Sequence, residues 1–214
     1  LFPAAGLEVF HNFTLVHDDI MDKAPVRRGF PTVHSKWDIN QAVLSGDVMS
    51  FIANECFMLT PSQLFIKIFR IFNKAAIEVC VGQQLDMDYE KSIVVTEKEY
   101  LRMIELKTAA LIAASLRIGA LIGGGSDKDS DLLYDFGRNL GLAFQIQDDI
   151  LDIWGDTKVC GKTKGGDIVS NKKTFPFIKA MELSTGETRK QLQILFSGSE
   201  SGPDVKIRIV TELY

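Results

Sequence analysis

The sequence predicts an all-α domain, and three observations carry that prediction. Apolar residues recur in steps of three and four along nearly the whole chain, which is the helical period. Strand signals are poor: Ile93-Val94-Val95-Thr96 is β-branched, but four residues between helical patterns read as a loop. With 46% hydrophobic and 24% charged residues the balance is that of an ordinary globular chain, and no internal repeat marks a solenoid.

Each element has its own warrant. Leu7, Phe10, Phe13, Val16 and Ile20 predict a first helix. Residues 37–59 predict a second, with Ile39, Val43, Val48, Phe51, Ile52 and Cys56, although Gly46 costs it about 1 kcal/mol against Ala. Pro61 suits a first helical turn and opens a third over 64–87. Thr96-Glu97-Lys98-Glu99 has the form of a capping box, so a helix runs from there to about Ile122, where Gly123-Gly124-Gly125 stops it. Ser126 or Ser130 starts the next, which carries Leu132, Leu133, Phe136, Leu140, Phe144 and Ile150 to about Trp154. A Gly- and Lys-rich loop over 155–173 precedes shorter helices near 175–183 and 187–196, a linker at 197–203 and another helix from Asp204. The expectation is at least six helices in a single domain over residues 1–214. It is incomplete at both ends, since the chain opens on Leu1 and a helical pattern still runs at Tyr214.

Composition excludes several classes. A net charge of −4 lacks the basic footprint of a nucleic-acid binder. No apolar run reaches the roughly 18 residues of a membrane span, the best, 109–121, being broken by Arg117. Cys56, Cys80 and Cys160 are odd in number and widely spaced, which fits neither a disulfide framework nor a cysteine zinc site. A reducing cytoplasm is the default location. Cys56 and Cys80 read as buried and inert, Met49, Met58 and Met103 as core, His34 as a loop residue without a partner, and Trp37 and Trp154 as anchors of helix ends.

Two acidic clusters share the pattern D-D-x-x-D: Asp18-Asp19-Ile20-Met21-Asp22 and Asp148-Asp149-Ile150-Leu151-Asp152. At the Asp content of this chain one such pattern arises by chance with a probability of about 0.1, and two with less than about 0.01, judged against composition alone. On a helix Asp18 and Asp22 share a face, as do Asp148 and Asp152, and like charges so spaced cost an isolated helix about 0.2–0.5 kcal/mol per pair. The bland alternative is two solvated faces. A hard divalent cation is the natural partner, because Mg2+ takes one or two carboxylates together with phosphate oxygens. Two clusters facing each other across a helix bundle would clamp a diphosphate through bridging Mg2+. Basic residues accompany them: Lys23, Arg27 and Arg28 after the first, and six Lys against the single acid Asp167 between residues 157 and 179 after the second. Gly161, Gly165 and Gly166 would let backbone N–H groups approach an anion.

These motifs resemble those of the trans-isoprenyl diphosphate synthases, the farnesyl/geranylgeranyl diphosphate synthase family. The resemblance is carried by 11–22 with Arg27-Arg28-Gly29, by Gly82-Gln83-Gln84-Leu85-Asp86, by Lys107-Thr108, by 144–152, and by Gly161-Lys162 with Asp167-Ile168 and Asn171-Lys172, in that order. It implies an antiparallel helix bundle of the isoprenoid synthase type with a central site cavity. The activity implied is a head-to-tail prenyltransferase condensing an allylic diphosphate with isopentenyl diphosphate, in a cytoplasmic homodimer. Asp18, Asp22 and Asp148 would ligate Mg2+ directly, about three ions per site with Mn2+ as a substitute, while Asp19, Asp149 and Asp152 would bind its waters or support the ligands. Arg27, Lys107, Lys162 and Lys172 would hold the allylic diphosphate, and His11 and Arg28 would belong to the isopentenyl diphosphate site. Thr108, Gln145, Gln83 and Asp86 would line the reacting region.

Product length follows from position on the first helix. Thr14 lies one turn before Asp18 and Phe13 beside it, so a chain growing away from the diphosphate passes both. The Phe13 ring limits it, small Thr14 lets it by on one side, and the family pattern sets the expected product at C15–C20. The alternative for Phe13 is a plain core role. The family's upstream Gly-Gly-Lys…Arg region and its last helices have no counterpart in residues 1–214. Two competing readings are a class I terpene cyclase, whose second cluster is of a different Asn/Ser/Glu type, and a non-catalytic partner subunit, which would not need both clusters whole. A metal phosphohydrolase needs more than His11, His17 and His34.

Overall fold

The computed structural model describes residues 1–92, 94–155, 164–197 and 202–214. The described chain is helical almost throughout. Its order is α1 (Phe2–Met21), β1 (Val26–Arg27), β2 (Phe30–Pro31), α2 (Val33–Lys36), α3 (Ile39–Met58), α4 (Ser62–Lys91) and α5 (Glu97–Ile104). A π-turn (Glu105–Ala109) leads into α6 (Ala110–Ile122), then α7 (Asp127–Trp154), α8 (Gly166–Val169), α9 (Phe175–Leu183), α10 (Gly186–Phe196) and α11 (Pro203–Leu213). Backbone contacts sort it into two compact units: Leu1–Glu78 with Ala110–Arg138, and Val79–Ala109 with Asn139–Tyr214.

In the first unit α1 packs on α3 through small residues. A Cβ on Gly6 would lie 2.9 Å from the Phe57 ring, and one on Gly46 only 2.2 Å from His17 Nε2. Gly46 therefore gives up helix propensity for close approach. Asp38 caps α3 by accepting from the Gln41 N–H at 2.8 Å, which is why the helix starts at Ile39 and not at Trp37. The face of α3 that is buried is Ala42, Gly46, Ala53 and Phe57, whereas Val43, Val48, Phe51 and Ile52 are exposed. Apolar spacing marked the helix but not the side it hides. The core of this unit is aromatic, with Phe57 stacked on Phe72 at 4.0 Å between centroids and Phe10 edge-on to Phe72 at 5.2 Å.

In the second unit the core gathers Tyr100, Met103, Ile104, Ile153, Ile168, Phe177, Ile178, Leu192, Phe196 and Val210. The capping box at Thr96 and Glu99 forms as expected. The helix it starts is not continuous, because Glu105–Ala109 opens into a π-turn. Two glycines lie against that turn: a Cβ on Gly82 would stand 2.2 Å from the Lys107 N, and one on Gly141 2.5 Å from the Ala109 Cα. Such turns recur at functional sites.

The remaining boundaries follow from end chemistry. Gly124, at φ +84°, closes α6 in a Schellman motif, with Gly125 N donating to Ala120 O and Gly124 N to Leu121 O. Ser126, and not the buried Ser130, caps α7. The expected loop over 155–173 contains the helical turn α8, and residues 156–163 lie outside the described part. Trp37 and Trp154 stand at helix ends as expected, Trp37 as the C-cap residue of α2 and Trp154 closing α7 with its ring 6.4 Å from that of Tyr214. Other expectations are corrected: Cys80 and Met58 are exposed, and His34 sits in α2 with Nδ1 3.3 Å from Thr32 Oγ1.

Candidate active site

The first unit carries one acidic cluster at the C-terminal end of α1. Asp18 and Asp22 are half-buried on one face, with Asp22 as the cap residue. Asp19 points elsewhere and is buried, accepting from Arg27 Nε at 2.7 Å, while the same guanidinium reaches Asp18 Oδ2 at 3.3 Å. Burial raises the Asp19 pKa above the ordinary value despite that partner. Arg27 is aimed by the hairpin β1–β2. Arg28 (φ +53°) and Gly29 (φ +81°) form its two-residue loop, and positive φ at both is the type I′ turn that matches strand twist. Arg28 is thus exposed at the tip. Thr32 anchors the far strand by donating to Ala24 O at 2.7 Å. Upstream on α1, His11 and Thr14 are half-buried, with Thr14 Oγ1 donating to His11 O, and Phe13 packs on the rings of Phe10 and His17 at 5.3 and 4.8 Å.

The second unit carries the other cluster near the end of α7. Asp148 and Asp152 are half-buried on one face, and Asp152 Oδ2 lies 3.3 Å from the Asp167 N. Asp149 is turned into the core. It accepts from the Tyr100 hydroxyl at 2.6 Å, the Phe175 N–H at 3.0 Å and Gln145 Nε2 at 3.0 Å. Burial nonetheless pushes its pKa up, and burial with the Asp149 charge pushes the Tyr100 phenol well above its usual range. Gln145, so oriented, accepts from the Thr108 hydroxyl at 2.8 Å through Oε1. A chain of hydrogen bonds therefore runs from the core to Thr108 on the π-turn.

Beside Thr108, Lys107 Nζ sits 2.6 Å from Asp86 Oδ2, and Lys172 Nζ reaches the same oxygen at 3.7 Å. Burial works against ionisation of Asp86, but the two ammonium groups outweigh it and hold its pKa below the usual carboxylate range. Two cations sharing one carboxylate leave the trio net positive, a setting for an anion. Gln83 is half-buried three residues before Asp86 on α4. Lys162 lies outside the described residues.

In each cluster, then, the first and last aspartates share a half-buried face and the middle one is a buried support. The donor set is all oxygen, which suits a hard cation. Among the described residues no three acidic, His or Cys side chains stand as a ready-made metal cage. Mg2+ does not require one, since it completes its shell with water and phosphate oxygens. The sequence missed Tyr100, whose role is invisible without its fold partner, and the buried lysines Lys173 and Lys206. Among the described helices none is long and apolar enough to cross a membrane.

The chain is 48% identical over 195 residues to a geranylgeranyl diphosphate synthase of Sulfolobus acidocaldarius, covering 88% of this chain and 58% of that protein. It is 44% identical over 199 residues to a short chain isoprenyl diphosphate synthase of Methanothermobacter thermautotrophicus, covering 92% and 61%. Among solved structures, a polyprenyl synthase from Caulobacter crescentus complexed with calcium and isoprenyl diphosphate superposes with a TM-score of 0.92 at 33% identity, covering 99% of this chain and 63% of that one. The chain thus spans about three fifths of the length of these relatives. The fold they share is the all-α isoprenoid synthase fold. With residues 3–213 matching the family model for polyprenyl synthetase, the chain belongs to the polyprenyl synthetase family.

Proposed function

We propose that the protein is a short-chain trans-prenyltransferase, joining an allylic diphosphate to isopentenyl diphosphate and releasing a C15–C20 product. The observation that carries this is the group around the π-turn: the Lys107–Asp86–Lys172 trio beside the Thr108–Gln145–Asp149 chain, with Asp148 and Asp152 on the same helix as Gln145. The names of the relatives support the substrate class, and the calcium-bound Caulobacter protein supports a divalent cation.

Asp18 and Asp22 in one unit, and Asp148 in the other, are the proposed direct ligands of Mg2+, with Asp152 holding its waters and Mn2+ as a substitute. When bound, the metal neutralises the charge that grows on a departing diphosphate. Arg27, Lys107, Lys172 and Lys162 hold that diphosphate, and the fixed ammonium groups act on charge that develops in the transition state. Asp19 and Asp149 keep Arg27 and Gln145 in place. Gln145 and Thr108 turn the negative ends of their dipoles toward an allylic cation, with Gln83 and Asp86 lining the same region. The apolar helices exclude water from that cation. His11 and Arg28 serve isopentenyl diphosphate, whose double bond attacks, and the proton released passes to the departed diphosphate. Phe13 and Thr14 set the product length. The same proposal includes a homodimer in the cytoplasm.

The test is incubation with Mg2+ and isopentenyl diphosphate plus dimethylallyl, geranyl or farnesyl diphosphate, with products read by mass. Prenyl diphosphates of C15–C20 support the assignment. Hydrocarbon formed without isopentenyl diphosphate would make the protein a cyclase, and no turnover by the protein alone, with turnover restored by an active synthase, would make it a partner subunit.

A further inference from the structure

Two lysines that the proposed chemistry does not use are buried in the second unit. Lys206 on α11 and Lys173 after α8 are each 6% exposed. Both converge on Asn171. Lys206 Nζ donates to Asn171 Oδ1 at 2.5 Å and to Ile168 O at 2.6 Å, and Lys173 Nζ donates to Asn171 O at 2.9 Å and to Glu90 O at 3.3 Å. The Phe196 ring lies under both, 4.8 Å from Lys206 Nζ and 5.5 Å from Lys173 Nζ.

Asn171 is the left-handed residue of a Schellman motif that ends α8, at φ +60°. Its N–H donates to Ile168 O at 3.2 Å, and the N–H of Lys172 donates to Asp167 O at 2.9 Å. Lys172, the next residue, is the one whose Nζ reaches Asp86. The ammonium of Lys206 therefore fastens both the last carbonyl turn of α8 and the side chain of the turn residue that aims Lys172. Two ammonium groups in one apolar pocket are costly to bury. The cost shows in Lys206, whose pKa burial and the neighbouring Lys173 push down to about 8.

We propose that Lys206 is a positioning residue, which locks the Asn171 turn so that Lys172 is presented to the diphosphate subsite beside Asp86 and Lys107. This role rests on the diphosphate-binding function proposed above for Lys172. A buried lysine that served stability alone would behave differently. Replacing it by an apolar residue would lower the melting temperature, because two buried acceptors lose their donor, and would leave ligand affinity alone.

The experiment compares Lys206→Met, Lys172→Ala and the double variant in the full protein. Binding of inorganic diphosphate in the presence of Mg2+ is measured by calorimetry, melting by circular dichroism, and exchange of the Asn171 and Lys172 amides by hydrogen–deuterium exchange. The expected result is a Lys206→Met protein that melts lower than wild type, because Ile168 O and Asn171 Oδ1 lose their donor, and that also binds magnesium diphosphate about tenfold more weakly and exchanges those amides faster. In the Lys172→Ala background Lys206→Met adds no further loss, because both act through one group. Unchanged affinity, or losses that multiply in the double variant, overturns the proposal. If wild type binds no diphosphate, the proposed function fails. Amide exchange then still decides whether Lys206 holds the turn, and unchanged exchange in Lys206→Met removes that too.

Discussion

Tyr100 donates its hydroxyl to Asp149 across 2.6 Å in the middle of the second unit's core, where the ring is 1% exposed. The bond explains how one D-D-x-x-D cluster can divide its labour. The middle carboxylate is held inward by three donors, and that fixes α7 so that Asp148 and Asp152 stay on a half-buried face beside it. Tyr100→Phe removes one of the three and is expected to cost about 1–3 kcal/mol of stability, measured by urea denaturation. Turnover falls with it, since Gln145 shares the same carboxylate.

Asp86 makes the protein sensitive to acid. Its folded pKa lies below the ordinary aspartate value of 3.8, so its contribution is complete above that value. It is lost as pH falls from there through the lower folded pKa. Asp86→Asn is expected to flatten the fall in melting temperature below about pH 4. Asp149 has the opposite sign. Its raised pKa gives stability that is present below the ordinary value and lost as pH rises through the folded one. Asp149→Asn is therefore expected to be least harmful toward neutral pH, although its amide keeps an acceptor only for Tyr100 and Phe175 and sets its NH2 against Gln145 Nε2; melting temperatures across the pH range check this.

Gly82 tests the π-turn. A methyl there would meet the Lys107 N at 2.2 Å, a contact that backbone on both sides resists. Gly82→Ala is expected to destabilise by about 1–3 kcal/mol and to lower kcat by displacing Lys107 and Thr108 together. Thermal melts and steady-state kinetics on the same preparation check both.

Phe13 tests product length. Its ring packs against Phe10 and His17, half-buried. Phe13→Ala is expected to lengthen the product beyond C20, read by mass analysis. An unchanged distribution would leave Phe13 as a core residue.

Much of this was legible in the sequence, and the omissions have physical causes. Periodicity and caps placed the helices, because Thr96, Gly124 and Ser126 act through their own neighbours. The aspartate clusters could be recognised because i, i+4 spacing is local. What stayed hidden depends on partners far along the chain. The π-turn follows from Gly82 and Gly141, which approach it from other helices. The buried face of α3 follows from small residues packed on α1, against the pull of its larger apolar residues. Likewise nothing near Lys206 in sequence points to Asn171, 35 residues away.

The most direct measurement is kcat of Asp148→Ala under saturating Mg2+, with the fold checked by circular dichroism. Loss of an electrostatic contribution made in the transition state predicts a fall of at least about 10²–10³ in a protein that melts as wild type does. A folded Asp148→Ala protein turning over at near the wild-type rate would contradict the assignment of these carboxylates to the chemistry.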